Sequence, residues 1–141
     1  MNYSRKKSQP IFDRALDVLE KGVSSNFRYL GDKETPVIAR GKGARIWDAD
    51  DNEFIDYRLG WGPINLGHAD DRVNQAVTEA IQDGITFAAT TPLEVDVAEL
   101  IKKMVPDMEK LRFTNTGTEA TMHALRTARG FTNKETFIKF E

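Results

Sequence analysis

The residues best suited to chemistry are Thr116-Gly117-Thr118, which join a short alternating segment at 111–114 to a helix-forming run. The first N–H groups of a helix have no intrahelical partner and carry partial positive charge, so they can bind an anion. Glycine lets a phosphate approach the backbone, and the threonine hydroxyls can donate to its oxygens. Since Ser and Thr begin many helices for stability alone, these three residues by themselves favour an ordinary N-cap.

Elements of regular structure must position this turn, and hydrophobic spacing predicts them. We expect residues 1–9 to be disordered, a helix over Ile11–Gly22 and a strand over Pro36–Arg40. Residues Ala44–Tyr57 are typical of a β-hairpin, because Asp50–Asn52 can supply a turn with positive φ. The first part of the chain is thus predicted to contain one helix and a small antiparallel hairpin.

Helices dominate the second part of the chain. Amphipathic spacing predicts a helix over Asp70–Gly84, and Thr91-Pro92-Leu93-Glu94 is typical of the start of another. The alternating segments at 111–114 and Thr136–Phe140 flank a third helix, so the order strand, helix, strand predicts half of a parallel α/β sheet. Since one crossover unit cannot cover both faces of such a sheet, the residues indicate a larger protein cut short.

Composition excludes several classes of protein. The 141 residues are 40% hydrophobic and 30% charged with a net charge of −2, which fits a globular domain. No basic face, membrane-length apolar run or signal peptide is visible, so we expect no nucleic-acid partner, no membrane association and a cytoplasmic location. There is no Cys, and His68 and His123 lack metal-ligand spacing. We therefore expect no metal site and interpret both histidines as structural or exposed.

Several short motifs follow one another at characteristic spacing. They are Ala39-Arg40-Gly41-Lys42-Gly43-Ala44-Arg45-Ile46-Trp47-Asp48, Ile55-Asp56-Tyr57, Trp61-Gly62-Pro63, Leu66-Gly67-His68, Leu93-Glu94-Val95, Thr116-Gly117-Thr118-Glu119-Ala120 and Ile138-Lys139-Phe140-Glu141. From about residue 22 to residue 141 the chain resembles the class III aminotransferases, fold-type I enzymes that use pyridoxal 5'-phosphate (PLP). Within that family it is most similar to the glutamate-1-semialdehyde 2,1-aminomutase branch.

The resemblance implies a fold class and a division into domains. The chain would be an α/β protein, the N-terminal part of a fold-type I PLP-dependent transferase with a helix, a β-hairpin, further helices and the first strands of the large-domain sheet. Residues 1–68 would belong to the small domain, and residues 69–141 would begin the large, cofactor-binding domain without completing it. The full-length enzyme would be a homodimer.

The resemblance also assigns roles to individual residues. Thr116-Gly117-Thr118 matches the turn that holds the cofactor phosphate, where the aminomutases have Ser-Gly-Thr. Arg28 matches the arginine that binds the substrate carboxylate, which a guanidinium can grip with two parallel hydrogen bonds. Ser25 matches a serine near that carboxylate, and Trp61 an aromatic residue that lines the substrate pocket. Glu119 would bond groups of the cofactor site or support the first helical turn.

Some features of the family are changed or absent. Ser24-Ser25-Asn26-Phe27 stands where aminomutases usually have Asn-Ser-Pro-Val, and Gly60 stands where they usually have Ser. A related aminotransferase acting on β-amino acids is therefore an alternative. From other classes, a module that binds a phosphorylated small molecule without chemistry, or an interaction fragment with an unused N-cap, also stays open.

The catalytic lysine of the family has no match in this chain. In the family that lysine forms a Schiff base with the cofactor, and we expect it beyond residue 141, so the chain contains no catalytic residue and is predicted to be inactive alone. An aminomutase would use the pyridoxamine 5'-phosphate form of the cofactor on glutamate-1-semialdehyde. Its product would be 5-aminolevulinate, a tetrapyrrole precursor.

Overall fold

The structure, a computed structural model, describes residues 3–140. Contacts divide the chain into two compact units, Met1–Ile85 and Thr86–Glu141, which are described separately below. The predicted division between residues 68 and 69 concerns the domains of a larger enzyme, and it stays a prediction. Glu141, the last residue of one family motif, lies outside the described residues.

Helix α1 spans Ser8–Val18 and is followed by a single 3₁₀ turn at Glu20–Gly22. It begins earlier than the sequence predicts. The predicted disorder is therefore wrong for residues 3–9, and residues 1 and 2 lie outside the described part. The main-chain N–H of Ser8 donates to Asp50 at 2.7 Å. Because this cap comes from a distant part of the chain, local polarity could not reveal it.

Three short antiparallel strands form the sheet of the first unit: β1 (Ile38–Lys42), β2 (Arg45–Asp48) and β3 (Glu53–Ile55), in that order. The predicted hairpin is therefore confirmed. Asp48 fixes its turn by accepting the main-chain N–H groups of Asp50 and Asn52, both at 2.9 Å.

Helix α2 spans Asp71–Ala80, and a 3₁₀ turn at Ile81–Asp83 continues it towards Gly84. Asp70 is the N-cap, since its carboxylate accepts the N–H of Arg72 at 3.0 Å. The predicted helix is confirmed, with its last turn tightened to 3₁₀ geometry.

The second unit contains helices α3 (Pro92–Met104) and α4 (Gly117–Thr132). Thr91 caps α3 as predicted, because its hydroxyl oxygen accepts the N–H of Glu94 at 3.3 Å. Helix α4 ends at Asn133, which adopts the left-handed conformation with φ 54°.

The strands predicted at 111–114 and Thr136–Phe140 are wrong for this chain. Both segments lie outside any sheet among residues 3–140. A strand exists only through hydrogen bonds to a neighbouring strand, and the described residues offer these segments no such partner. Alternation of apolar and polar residues therefore matches the side-chain pattern of a strand. It does not show whether a neighbouring strand is present to form the hydrogen bonds.

The apolar core of the described residues is small. Phe12 is the one buried hydrophobic residue in that part of the chain, with 2% of its surface exposed. Many large apolar residues of the second unit remain exposed, notably Phe131 at 91% and Phe140 at 94%. Among residues 3–140 there is no helix with the length and apolar character needed to cross a membrane.

Candidate functional site

The Thr116-Gly117-Thr118 turn forms the N-terminus of α4. Thr116 is extended, with φ −143° and ψ 156°, and the helix begins at Gly117, so the turn is not part of a continuous helix. The hydroxyl oxygen of Thr116 accepts the N–H of Glu119 at 3.1 Å. Its carbonyl accepts the N–H of Ala120, which is the first intrahelical bond. Thr116 is thus a helix N-cap whose hydroxyl hydrogen is still available.

Two main-chain N–H groups of this turn lack acceptors. Among the described residues nothing accepts the N–H of Gly117 or of Thr118, and the hydroxyl of Thr118 makes no hydrogen bond. A Cβ atom added to Gly117 would meet no atom within 4 Å. Three donors are therefore free at the positive end of a 16-residue helix, and the space beside Gly117 is open, which suits an anion.

Glu119 supports this turn and does not fill it. Its carboxylate reaches back to accept the N–H of Asn115 at 2.7 Å. Of the two roles considered for Glu119, the structure displays the supporting one. Because the carboxylate is held at Asn115, the N–H groups of Gly117 and Thr118 stay open.

Ser25 and Arg28 lie in the first unit, at either end of one tight turn. Ser25 is extended, and its carbonyl accepts the N–H of Arg28 at 2.9 Å across the 3₁₀ turn Asn26–Arg28. Within residues 3–140 the guanidinium of Arg28 makes no hydrogen bond or ion pair, and neither does the Ser25 hydroxyl. Arg28 lines a cavity of about 750 Å³ between α1 and the hairpin. An unpaired guanidinium beside an apolar cavity can bind a carboxylate by donating hydrogen bonds to it.

Trp61 contacts the same turn through two neighbours. Its ring and that of Phe27 form a T-shaped pair with centroids 5.4 Å apart, and the Arg58 guanidinium lies 5.4 Å from the Trp61 centroid. Arg58 Nη1 also donates to the carbonyl of Phe27 at 2.7 Å. The structure thus brings Trp61 to the segment that carries Ser25 and Arg28, with 57% of Trp61 exposed.

Asp56 is a site residue to which the sequence assigned no role. Its Oδ1 accepts the N–H groups of Arg58 at 2.8 Å and Leu59 at 3.2 Å, and its Oδ2 accepts His68 Nε2–H at 2.7 Å. The hydrogen bond from His68 lowers the pKa of Asp56, and this outweighs the opposing effect of burial. His68 is structural, as predicted.

A signal for Asp56 was present in the sequence. An aspartate two residues before an irregular loop often accepts the N–H groups that follow it. The contact with His68 lies 12 residues away and could not be read from this local pattern.

The candidate residues fall in different units. Ser25, Arg28 and Trp61 belong to the first, whereas the 116–118 turn belongs to the second. No group of three or more potential metal ligands occurs in the part of the chain that the structure describes.

Comparison with known proteins places these observations in a family. The sequence model for "Aminotransferase class-III" matches residues 29–141. A glutamate-1-semialdehyde 2,1-aminomutase from Acetivibrio thermocellus is 50% identical over 136 residues, which are 95% of this chain and 32% of that protein. The chain therefore spans about a third of the length of the curated relatives it matches.

Solved structures agree with the sequence comparison. A transaminase with PLP bound superimposes with a TM-score of 0.89 at 32% identity, covering 94% of this chain and 31% of that one. A β-phenylalanine aminotransferase from Variovorax paradoxus gives 0.85 at 35% identity, covering 90% and 29%. These likenesses confirm the predicted fold class, part of a fold-type I transaminase. This chain belongs to the class-III aminotransferase family.

Proposed function

We propose that this chain supplies the phosphate-binding turn and the substrate-carboxylate side of a PLP-dependent aminomutase that acts on glutamate-1-semialdehyde. The open donors of the 116–118 turn carry this proposal, because they offer an anion site that no described residue fills. The 50% identity to an aminomutase favours this reaction among those of the family.

The cofactor phosphate fits the donors of the turn. The N–H groups of Gly117 and Thr118 and the Thr118 hydroxyl would hold its oxygens, and the Thr116 hydroxyl hydrogen would add a fourth bond. When bound, PLP supplies an electron sink for carbanion chemistry. The proposal includes the pyridoxamine 5'-phosphate form, which an aminomutase would use.

The substrate carboxylate fits Arg28. This guanidinium would form two parallel hydrogen bonds to it, Ser25 would add a hydroxyl donor, and the exposed ring of Trp61 would cover one side. Together these residues would orient the substrate and exclude water from it.

The whole protein would be a cytoplasmic homodimer with a catalytic lysine supplied by sequence outside this chain. The 141-residue chain mixed with PLP and glutamate-1-semialdehyde should therefore show no turnover. Turnover by this chain alone would contradict that part of the proposal.

A β-amino acid aminotransferase is the second candidate. It is favoured by the β-phenylalanine aminotransferase likeness and by Phe27, which places an aromatic ring against Trp61 where aminomutases usually have valine. The whole protein should be assayed with glutamate-1-semialdehyde and, separately, with β-phenylalanine and a keto acid. Activity on the second pair alone would select this candidate.

The anion site can be tested on this chain directly. Pyridoxamine 5'-phosphate is a suitable probe because it lacks the aldehyde that reacts with surface lysines, and pyridoxamine controls for the ring. We expect Gly117→Val to weaken binding of the phosphorylated probe by at least about tenfold. Gly130→Val is the matched control, since a Cβ there also meets nothing within 4 Å but lies near the other end of α4.

Thr118→Val provides a second test without a change of shape. It removes a hydroxyl that makes no described hydrogen bond, so affinity should fall while stability is retained. Equal affinity for pyridoxamine and its phosphate, or no loss in either variant, would contradict the proposed site.

A further inference from the structure

The loop that carries Trp61 has an unusual backbone. Four consecutive residues have positive φ: Leu59 at 50°, Gly60 at 58°, Trp61 at 69° and Gly62 at 112°. Leu and Trp rarely adopt this left-handed region, because their Cβ atoms crowd the backbone. Such a conformation persists only where surrounding contacts hold it.

Asp56 supplies contacts at the start of this loop. One carboxylate oxygen accepts two successive N–H groups, that of Arg58 and that of Leu59, the first residue of the positive-φ run. The side chain of Asp56 is 8% exposed, so water has little access to its carboxylate.

His68 fixes the other oxygen of Asp56. An ionised carboxylate can only accept, so His68 Nε2–H donates to it at 2.7 Å. The main chain of His68 exchanges two hydrogen bonds of 2.8 Å with Gly43. Its ring lies over Gly41, where an added Cβ would be 2.7 Å from His68 Cγ. His68 therefore links the carboxylate to the turn between β1 and β2.

The same loop contacts the Ser25–Arg28 segment. Arg58 donates to the carbonyl of Phe27 through its guanidinium, while Asp56 holds its N–H. Any movement of the Arg58 main chain would therefore displace both this hydrogen bond and the Trp61 ring.

We infer that Asp56, held by His68, is a positioning residue that fixes the Trp61 loop against the segment carrying Arg28. The functional importance of this device rests on the proposed role of Trp61 and Arg28 in substrate binding. The holding of the Trp61 loop by Asp56 and His68 does not rest on that role, because these contacts exist without a ligand.

The test follows Trp61 in the 141-residue chain. In a Trp47→Phe background Trp61 is the one tryptophan, and its near-ultraviolet circular dichroism reports whether the ring is held. We expect Asp56→Ala and His68→Asn to lose this tryptophan band while the far-ultraviolet spectrum is retained. His68→Gln should preserve the band, because Gln carries an amide donor at nearly the reach of His Nε2 and Asn does not.

Matched controls separate positioning from general damage. Asp17→Ala removes an exposed carboxylate, and His123→Asn a second histidine, neither of which has a described hydrogen bond or ion pair. Both should leave the tryptophan band unchanged. An unchanged band in Asp56→Ala and His68→Asn would overturn the inference.

A measurement on the unaltered chain covers the case in which variants fail to fold. Amide hydrogen exchange should be slower at Arg58 and Leu59 than at Gly60, whose N–H has no acceptor among residues 3–140. Equal exchange at the three positions would also overturn the inference. Since neither experiment contains a ligand, failure of the proposed cofactor or substrate site would leave both results unaffected.

Discussion

Asp50 and Ser8 are 42 residues apart in sequence, yet Asp50 Oδ2 accepts the Ser8 N–H at 2.7 Å. The other carboxylate oxygen accepts the Lys7 N–H at 2.8 Å and the Ser4 hydroxyl at 3.0 Å. Partial desolvation of the carboxyl opposes ionisation, but these hydrogen bonds outweigh it and hold the pKa of Asp50 well below its usual range. The hairpin turn thus supplies the N-terminal cap of α1.

Replacing this cap should loosen the first turn of α1. Asp50→Asn keeps the size of the side chain but removes its charge, so fewer N–H groups at Lys7 and Ser8 are satisfied. We expect a melting temperature several degrees lower and faster amide exchange at these two positions. Asp51→Asn is the control, because Asp51 makes exposed ion pairs and has φ 64°, which Asn tolerates. An equal effect of both variants would argue against the cap.

Thr116 should contribute to stability whether or not a ligand binds. Thr116→Ala removes the acceptor for the Glu119 N–H and should destabilise α4 by about 1 kcal/mol, whereas Thr116→Ser should be close to neutral. Urea unfolding followed by far-ultraviolet circular dichroism measures the difference. Equal stability of the Ala and Ser variants would show that the N-cap hydrogen bond contributes nothing.

The stability of the fold should depend on pH through the ionisation of Asp56. Its pKa is lowered from 3.8 chiefly by the His68 hydrogen bond, so the ionised form stabilises the fold above that pH. This contribution to stability is lost as the pH falls through the lowered pKa that Asp56 has in the folded state. At about pH 6 wild type should exceed Asp56→Asn by roughly 1–3 kcal/mol, and the gap should narrow below about pH 4. Urea titrations across this range measure it, and a gap independent of pH would contradict the assignment.

Gly60 should resist restoration of the family's serine. Its φ is 58°, and an added Cβ would lie 2.9 Å from Ile64 Cγ1. Gly43 has φ 57° with nothing within 4 Å, so Gly43→Ser carries the backbone strain alone. We expect Gly60→Ser to lower the melting temperature more than Gly43→Ser. Equal losses in melting temperature would show that the Ile64 side chain moves aside without loss of stability.

The isolated chain should self-associate through its exposed apolar surface. Phe12 is the one buried apolar side chain among the described residues, whereas large apolar residues such as Phe131 and Phe140 are almost fully exposed. Stable monomers rarely display so much apolar surface. Sedimentation velocity should reveal oligomers that grow with concentration, and a compact monomer at every concentration would contradict this expectation.

Local signals explain which parts of the fold could be predicted. Thr91-Pro92 and Thr116-Gly117 mark helix starts through short-range hydrogen bonds, and Asp50–Asn52 marks the hairpin turn, so these features follow from neighbouring residues alone. The contact of Asp50 with Ser8 depends on tertiary packing and was invisible in the sequence. The segment at 111–114 has the side-chain pattern of a strand but no partner in the described chain.

The candidate site also has some features that local sequence predicts and others that depend on tertiary packing. The open donors of the 116–118 turn follow from helix geometry, and the structure contains them. The Asp56–His68 hydrogen bond and the positive φ values around Trp61 arise from loop packing, which no periodic pattern encodes. Roles for Ser25, Arg28 and Trp61 came from family resemblance, and they stay predictions.

The paired hydrogen bonds between Gly43 and His68 close residues 44–67 into a ring whose two ends meet. Substitutions inside that ring can alter the Trp61 surface while the chain still enters α2 from the same point. The region around Trp61 could therefore diversify during evolution without any change in the helices that follow it.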